Sequence, residues 1–445
     1  MFPSVQERGV GKVALVLKVC LGVNYFIRRW HTVAALNRAT RQLQLRRALD
    51  GKNRRRTQKK GDLPTPVLVN NMTTNATCTT LGPSSLLSLS ITYTFLSILF
   101  SCYYLLHFLY LHCLRRPTQL YRRYQSSTKT TSPWAIVTGP TSGIGLAIAK
   151  KLYLRGFSIV LVGRVPERLH GVKEQLEQLT HTNLRPHNNV ANTNTPNRIE
   201  VIEIDFATAK QQSLEAFTAM LTTHDVAVLV NNVGVATPLG YFTENDPKAI
   251  AALCEVNMRS CLLMTRLVLP LIVRRKSGGI VNLSSLSGLH ASPMLATYAA
   301  TKSFVHSLSM SLSEETSGFS YIDIQSVTPG FVATKMSVDL FGSHAEMVPK
   351  KNRATSMCCQ CPPVVTANAC AESILSQLGN GQRHTSGHWK HTVQNVLHTM
   401  TPKFVLADIT HTCMLLFQKT KRREEGGGGG GGERKETWKE DEGLL

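Results

Sequence analysis

Two parts of the chain have different hydrophobic patterns. Residues 86–114 are almost wholly apolar or aromatic, and no Lys, Arg, Asp or Glu occurs between Asp62 and Arg115. From Ser132 onward, short apolar runs alternate with longer amphipathic segments. An apolar stretch of about 20 residues can cross a bilayer, so the first pattern predicts a single transmembrane helix. The second pattern predicts alternating strands and helices.

The alternating segments beyond Ser132 define the expected fold. The predicted strands are Ala135–Thr138, Ser158–Gly163, Ile199–Ile204, Val226–Val230, Gly279–Leu283 and Ile322–Val327. The predicted helices are Leu146–Arg155, Glu167–Leu179, Lys248–Arg274 and Tyr298–Glu315. Such alternation produces a parallel sheet whose ligand site lies at the carboxyl ends of the strands. The expected fold class is therefore α/β, a doubly wound parallel sheet (Rossmann fold) preceded by a single transmembrane helix.

The net charge of +22 is concentrated near the start of the chain. Residues 1–60 contain fifteen Lys and Arg residues against only Glu7 and Asp50. Basic segments bind nucleic acid or anionic membrane surfaces. Because this charge belongs to a leader and not to the folded body, we expect a membrane bilayer and no nucleic acid among the partners. A nucleic-acid binder that uses this leader is the weaker alternative.

The flanks of the apolar stretch predict its orientation. Four arginines lie between residues 115 and 123, whereas the 20 residues before Leu86 carry no Lys or Arg. Positive residues remain on the cytoplasmic side, so the C-terminal body is expected to face the cytoplasm. Glycosylation sequons at Asn71 and Asn75 agree with a lumenal location for the preceding segment. The basic leader would then have to cross the membrane, unless translation starts at Met72.

The cysteines give no sign of a disulfide framework or a metal site. Eleven cysteines are scattered along a chain of 445 residues. This usage is typical of reduced thiols in a reducing compartment. One cluster, Cys358, Cys359 and Cys361, lacks the fourth ligand and the second pair that a zinc site requires. We therefore expect no metal.

A glycine-rich turn follows the first predicted strand. It reads Thr138-Gly139-Pro-Thr-Ser142-Gly143-Ile144-Gly145 and opens a helix. Gly139 permits the tight turn, Gly143 lets the backbone approach a pyrophosphate, and Gly145 lets the helix pack closely. A helix N-terminus offers free N–H groups to phosphates. The turn predicts dinucleotide binding, although an ordinary βα turn is the alternative.

The ends of the next two strands carry charged residues. Arg164 follows the second strand, where a carboxylate would bind the ribose hydroxyl of NAD. An arginine at this position suits the 2′-phosphate of NADP, so NADP(H) is the expected cofactor. Asp205 follows the third strand and could accept a hydrogen bond from the adenine amino group. Arg164 as a plain surface residue and Asp205 as a helix cap are the alternatives.

Tyr298 and Lys302 lie four residues apart and therefore share one face of a predicted helix. A nearby ammonium lowers the pKa of a tyrosine, whose free value is about 10. Tyr298 could then act as a general acid in carbonyl reduction. Ser285 lies thirteen residues earlier, after a strand, and could hydrogen-bond the substrate oxygen. Taken alone, the Tyr–Lys pair occurs by chance in many helices.

These motifs, in this order, resemble the short-chain dehydrogenase/reductase family. The matching positions are Thr138–Gly145, Asp205, Asn231–Gly234, Asn257, Ser285, Tyr298, Lys302 and Pro329-Gly330. The resemblance implies that Asn257 anchors a water that passes protons to Lys302. It also implies that Asn232 contacts the cofactor ribose, and that Val332 and Thr334 hold the nicotinamide carboxamide.

Three further segments resemble one group within the family. They are Leu267–Pro270, Pro293–Phe304 and Phe331–Lys335, and they look like the very-long-chain 3-oxoacyl-CoA reductases. That group overlaps with the 17β-hydroxysteroid dehydrogenases of the endoplasmic reticulum. The resemblance implies NADPH-dependent reduction of a 3-oxoacyl-CoA in fatty-acid elongation at that membrane, with other elongation enzymes as partners. A hydroxysteroid or other lipid alcohol dehydrogenase is the alternative, and an NADPH-binding scaffold without turnover is a further one.

These predictions divide the chain into five parts. They are a basic leader and lumenal segment at 1–85, a transmembrane helix at 86–114, an NADP-binding reductase domain at 132–340 with an insertion at 180–198, a substrate-binding and C-terminal helical region at 341–423, and a Gly-rich flexible tail at 424–445. Within the fourth part, Phe404–Phe417 is apolar and amphipathic. This segment is expected either to pack in the core or at the substrate entrance, or to lie on a membrane.

Overall fold

The structure is a computed structural model, and it describes only part of the chain. The described residues are 117–125, 132–181, 197–208, 211–342 and 364–426, with individual helical residues between 92 and 110. The predicted leader, most of the predicted insertion, the cluster around Cys358 and the Gly-rich tail beyond 426 lie outside them. The chain divides into two units, Met1–Arg115 and Arg116–Leu445.

The second unit alternates strands with helices as the sequence predicts. Its strands are β1 Trp134–Thr138, β2 Ser158–Gly163, β3 Ile199–Glu203, β4 Val226–Asn231, β5 Gly278–Leu283, β6 Ile322–Val327, β7 Val332–Ala333, β8 Val365–Thr366 and β9 His384–Thr385. Its helices are α1 Leu120–Tyr124, α2 Gly143–Leu154, α3 Pro166–His181, α4 Gln211–Thr223, α5 Pro247–Cys254, α6 Ser260–Arg275, α7 Ala296–Glu315, α8 Lys335–Phe341, α9 Ala367–Gln377, α10 Trp389–Met400 and α11 Lys403–Gly426.

Seven strands form one parallel sheet in the order β3-β2-β1-β4-β5-β6-β9. The strands β1, β2, β4 and β5 are buried along their whole length. Continuous apolar runs of this kind are typical of parallel strands that are covered on both faces. The strand order reverses between β1 and β4, and ligands bind at such a switch point in open α/β sheets. The predicted doubly wound α/β fold is confirmed.

Two apolar cores cover the two faces of the sheet. On one face, helices α2, α3 and α9 pack through residues such as Ile148, Leu176 and Ile374. On the other face, α4 and α6 pack through residues such as Phe217 and Val268. Each fully buried aliphatic or aromatic side chain contributes about 1.5–3 kcal/mol, so the two cores stabilise the sheet whose carboxyl edge carries the loops of the site.

The predicted helix Lys248–Arg274 has a different internal structure. It is divided into α5 and α6 by a π-helical turn at Glu255–Arg259. The combined run Pro247–Arg275 is, among the described residues, long and apolar enough to cross a membrane by length and composition. However, α6 packs against β4 and β5 and buries one side, so this run is a sheet-covering helix in the structure.

The first unit is described only at individual positions. Between Thr92 and Tyr110 these positions are helical. The side chains of Phe95, Leu106 and other apolar residues there are exposed. Helical residues with exposed apolar side chains are compatible with a lipid environment. The crossing of a membrane by residues 86–114 stays a prediction.

Candidate active site

The glycine-rich turn joins β1 to α2 with an open helix end. Gly139 and Gly143 adopt positive φ angles of 63° and 59°, a backbone conformation that favours glycine. The α2 helix begins at Gly143, and the Ser142 side chain makes no capping hydrogen bond. The first-turn N–H groups of α2 therefore remain available to an anionic group.

Asn232, which directly follows β4, holds this turn in place. Its amide nitrogen donates to the carbonyl oxygens of Thr138 (3.0 Å) and Gly139 (2.8 Å). A Cβ atom on Gly145 would lie 2.3 Å from the same amide nitrogen, so any larger residue would push Asn232 away. In the structure, Asn232 and Gly145 therefore form the support of the predicted phosphate-binding turn.

One cleft of about 340 Å³ joins most of the predicted site residues. Its lining includes Gly139, Ser142, Gly143, Ile144, Arg164, Asp205, Asn232, Ser285, Tyr298, Lys302, Val332 and Thr334. Two predicted residues, Gly145 and Asn257, lie outside this lining. The cleft begins at the glycine-rich turn and reaches the Tyr–Lys pair, as an extended dinucleotide requires.

The cleft carries an arginine that the sequence analysis missed. Arg168 lines it together with Arg164. Arg164 directly follows β2, and Arg168 lies one turn later, within α3. The signal available in the sequence was the position of Arg168 in the first turn of the predicted helix at Glu167–Leu179, shortly after the strand end that carries Arg164. Asp205 lines the same end, and its carboxylate also accepts the backbone N–H of Ala207 at 3.0 Å.

The Tyr–Lys pair lies near the start of α7, beside the end of β5. The Lys302 ammonium donates to the carbonyl oxygen of Leu283 at 2.8 Å, and its nitrogen lies 5.8 Å from the centre of the Tyr298 ring. Ser285 hydrogen-bonds Tyr298 and accepts the backbone N–H of Ser287 at 3.2 Å. The three side chains are thus brought together at the inner end of the cleft.

Burial shifts the pKa values of the pair in opposite directions. Desolvation raises the pKa of Tyr298 to about 12, although the hydrogen bond with Ser285 lowers it in part. Desolvation lowers the pKa of Lys302 to about 8, against a raising effect from Cys261. The expectation that Lys302 lowers the pKa of Tyr298 is therefore wrong for the net shift. Tyr298 is a neutral phenol at neutral pH, the protonation state that a proton donor needs.

Asn257 lies behind the pair, in the π-helical turn. Its amide group bonds both backbone groups of Val235, at 2.8 and 2.9 Å, and donates to Thr301 at 3.0 Å. Thr301 in turn donates to the carbonyl oxygen of Tyr298 at 2.8 Å. Functional residues often occupy such π turns. In the structure, Asn257 connects α7 to the loop after β4, while its role in holding a water stays a prediction.

An apolar cluster begins on the other side of Tyr298. Its buried members are Met294, Leu295, Leu340, Phe341 and Met414, and Ala236, Leu239, Tyr298, Phe331, Leu415 and Phe417 pack against them. These residues come from the loops after β4, β5 and β6, from α8 and from α11. Hence Tyr298 is the point where the polar cleft meets an apolar region. We call the residues named in this paragraph the apolar cluster.

Two further predicted residues link the cleft to the loop after β6. Val332 is in β7 and Thr334 caps α8, accepting the backbone N–H of Ser337 at 3.4 Å. A Cβ atom on Gly143 would lie 2.9 Å from the Thr334 methyl group, so the loop approaches the glycine-rich turn closely. A dinucleotide bound at the glycine-rich turn would therefore also contact this loop.

Comparison with known proteins identifies the family. Residues 133–344 match the model of the short chain dehydrogenases. The chain is 31% identical over 275 residues to hydroxysteroid dehydrogenase-like protein 1 of Gallus gallus, which covers 62% of this chain and 73% of that protein. The chain belongs to the short-chain dehydrogenase/reductase family. It is accordingly an oxidoreductase, and the family's nicotinamide dinucleotide fits the cleft described above.

The names of two further relatives point to different activities. The chain is 38% identical over 208 residues to very-long-chain 3-oxoacyl-CoA reductase-B of Danio rerio, covering 46% of this chain and 61% of that protein. It is 31% identical to inactive hydroxysteroid dehydrogenase-like protein 1 of Homo sapiens, with 61% and 73% coverage. A solved 7beta-hydroxysteroid dehydrogenase is 18% identical, with a TM-score of 0.51 over 66% of this chain and 100% of the other, and shows the fold alone.

Proposed function

We propose that this short-chain enzyme reduces a 3-oxoacyl-CoA to a 3-hydroxyacyl-CoA with NADPH, in the elongation of long and very long fatty acids. The observation that carries the proposal is the position of Tyr298, between a dinucleotide cleft and an apolar cluster. A ketone bound at Tyr298 can place its hydrocarbon chain among apolar residues. The relatives named very-long-chain 3-oxoacyl-CoA reductases support this substrate class.

The reaction requires a hydride and a proton. When bound, NADPH supplies the hydride to the carbonyl carbon. Tyr298, a neutral phenol because burial raises its pKa to about 12, donates the proton to the carbonyl oxygen. Ser285, which hydrogen-bonds Tyr298, orients that oxygen. Lys302 lies behind Tyr298 and stabilises the phenolate that forms, and Asn257 fixes the helix that carries both residues.

Two arginines support NADPH over NADH. Arg164 and Arg168 line the end of the cleft beyond the glycine-rich turn. The guanidinium group forms strong, often bidentate, hydrogen bonds with phosphate. A 2′-phosphate between these two side chains would gain both interactions, whereas the free ribose hydroxyl of NADH would gain neither.

A membrane location fits a substrate with a long hydrocarbon chain. The described helical residues between 92 and 110 expose several large apolar side chains, such as Phe95, Tyr103 and Leu106. We propose that residues 86–114 anchor the enzyme in the endoplasmic reticulum membrane with the reductase domain facing the cytoplasm. This orientation rests on the arginines that follow the apolar stretch.

A steroid or other lipid alcohol is the second candidate substrate. The relatives named hydroxysteroid dehydrogenase-like protein 1 support it, and the apolar cluster would also accept a sterol. One of these relatives is named inactive. This chain contains the Ser285, Tyr298 and Lys302 side chains that the proposed reaction uses, so we favour turnover over cofactor binding alone.

A substrate panel tests the proposal. The full-length protein, purified in detergent, is supplied with NADPH and either long-chain 3-oxoacyl-CoA or 17-ketosteroid. We expect NADPH oxidation with the 3-oxoacyl-CoA, formation of the 3-hydroxyacyl-CoA by mass spectrometry, and loss of both with Tyr298→Phe. Steroid turnover without 3-oxoacyl-CoA turnover would favour the second candidate, and no turnover of either would contradict both.

A further inference from the structure

The C-terminal helix α11 contributes to the candidate active site from outside the region that matches the family model. That match ends at residue 344, whereas α11 spans Lys403–Gly426. Met414 is buried in the apolar cluster, and Leu415 and Phe417 pack against it. The same cluster includes Tyr298. A segment far along the chain thus forms part of the surface beside the proposed proton donor.

Phe417 occupies a defined place in this surface. Its ring centre lies 5.3 Å from that of Phe341, at an interplanar angle of 64°, and 6.1 Å from that of Phe331. Phe331 and Phe341 are themselves 4.8 Å apart. Ring distances in this range are typical of packed aromatic pairs. The three rings therefore close the cluster on the side formed by α8, α11 and the loop after β6.

Polar contacts fix α11 against two neighbouring elements. Gln418 donates to the carbonyl oxygen of Leu239 at 3.1 Å, in the loop after β4. Tyr241, in the same loop, contacts His411 through its hydroxyl at 3.2 Å. Lys421 donates to the carbonyl oxygen of Asp339 in α8. These contacts hold the Phe417 ring at a fixed distance from the residues around Tyr298.

We propose that Phe417 is a specificity-determining residue that limits how much of the substrate's hydrocarbon chain the apolar cluster accepts. This inference rests on the proposed function, because it takes the chain of a 3-oxoacyl-CoA as the occupant. From the carbonyl group at Tyr298, the hydrocarbon chain of the substrate must extend along apolar residues. The aromatic rings of Phe341 and Phe417 lie in that region. Binding a longer chain requires space that the Phe417 ring fills.

Chain-length profiles of variants test this inference. The full-length enzyme is assayed with NADPH and saturated 3-oxoacyl-CoAs of increasing length. We expect Phe417→Ala to raise kcat/KM for chains longer than the wild-type optimum by about tenfold relative to shorter chains, since one methylene in an apolar pocket changes the rate by about 10–200-fold. Leu416→Ala is the matched control, because Leu416 is the neighbouring residue and is 55% exposed. It should leave the profile unchanged.

A second variant keeps the inference testable when Phe417→Ala does not fold. Should Phe417→Ala unfold, as judged by its Tm, Phe417→Leu keeps an apolar side chain and is expected to shift the profile in the same direction by a smaller factor. Folded Phe417 variants with the wild-type profile would overturn the inference while the proposed function stands. A wild-type enzyme that reduces no 3-oxoacyl-CoA would instead overturn the proposed function, and this inference with it.

Discussion

At the scale of single residues, Lys302 sets the upper pH limit of the proposed reaction. Burial lowers the pKa of Lys302 to about 8 and raises that of Tyr298 to about 12. As the pH rises, Lys302 therefore loses its positive charge while Tyr298 still holds its proton. The charge that stabilises the forming phenolate disappears first, so the rate should fall before the proton donor itself ionises.

The first prediction follows from this order. The kcat/KM for ketone reduction should decrease on the alkaline side with an apparent pKa near 8, because that is the value of Lys302. The residual activity of Lys302→Arg should not decrease in this way. The guanidinium group has a pKa above about 12 and therefore stays charged over the whole pH range of the assay. Steady-state rates between neutral pH and pH about 10 measure both. A wild-type rate that is constant over this range would contradict the assignment.

The second prediction concerns cofactor choice. Arg164→Glu should raise the KM for NADPH by about 10–100-fold, since a hydrogen bond to a charged group contributes about 1.5–3 kcal/mol. The new carboxylate should improve the use of NADH by accepting from the ribose hydroxyl. Arg266→Glu is the control, because Arg266 is exposed on α6 and lies outside the cleft lining. An unchanged NADPH/NADH ratio in Arg164→Glu would exclude a phosphate contact at this residue.

At the scale of elements, the short helix α1 joins the segment after residue 116 to the amino edge of the sheet. Leu120 and Tyr124 are fully buried. Arg123 forms a bidentate ion pair with Asp323, at 2.8 and 3.1 Å, and the Tyr124 hydroxyl donates to the same carboxylate at 2.7 Å. Asp323 is near the start of β6, whereas the candidate active site lies at the opposite ends of the strands.

The third prediction uses this separation. Asp323→Ala should lower the free energy of unfolding by about 3 kcal/mol, because it leaves the buried Tyr124 hydroxyl and the half-buried Arg123 without their acceptor. The kcat/KM of the folded fraction should be unchanged. Urea denaturation measures the loss, and Glu314→Ala is the matched control, because it breaks an exposed ion pair with Arg383 that contributes less than about 1 kcal/mol. Equal losses in the two variants would contradict a structural role for α1.

The same scale shows why parts of the fold could be predicted. The strand β2 has the predicted bounds, because its continuous apolar run is typical of a parallel strand that is buried on both faces. The strand β6 also has the predicted bounds, although Asp323, Gln325 and Ser326 interrupt its apolar residues. Helix α4 was not predicted, and α9 and α10 were expected only as parts of a C-terminal helical region at 341–423, without bounds of their own. Their positions depend on tertiary packing, as Ile374 of α9 illustrates by its full burial against the sheet.

The candidate site likewise contains residues that local sequence motifs predict and residues that only the folded structure brings together. The glycine-rich turn, Ser285, Tyr298 and Lys302 could be predicted, because each motif is defined by its spacing or by the strand that it follows. Packing of Phe404–Phe417 in the core or at the substrate entrance was among the expectations, but the contacts of Phe417 with Phe331 and Phe341 could not be predicted, since these residues meet only after α11 returns to the loops at the carboxyl edge. The net pKa shift of Tyr298 also required the structure, because burial cannot be read from a Tyr-x-x-x-Lys pattern.

At the scale of the whole molecule, the reductase fold covers only part of the chain. The family model matches residues 133–344, and the relative named very-long-chain 3-oxoacyl-CoA reductase-B is matched over 61% of its length. The substrate and the membrane location of the full chain are therefore proposals that rest on α11, on the apolar cluster and on the stretch at 86–114. One relative is named as inactive and others are named as reductases, so a direct measurement of hydride transfer is the most informative test.

One measurement tests the central claim most directly. The purified full-length protein is incubated with long-chain 3-oxoacyl-CoA and NADPH that carries deuterium at the transferable position of the nicotinamide ring. The account predicts a 3-hydroxyacyl-CoA with one deuterium at carbon 3, formed by the wild type and lost with Tyr298→Phe. A wild-type protein that binds NADPH but forms no labelled product, or a Tyr298→Phe variant that forms it at the full rate, would contradict the account.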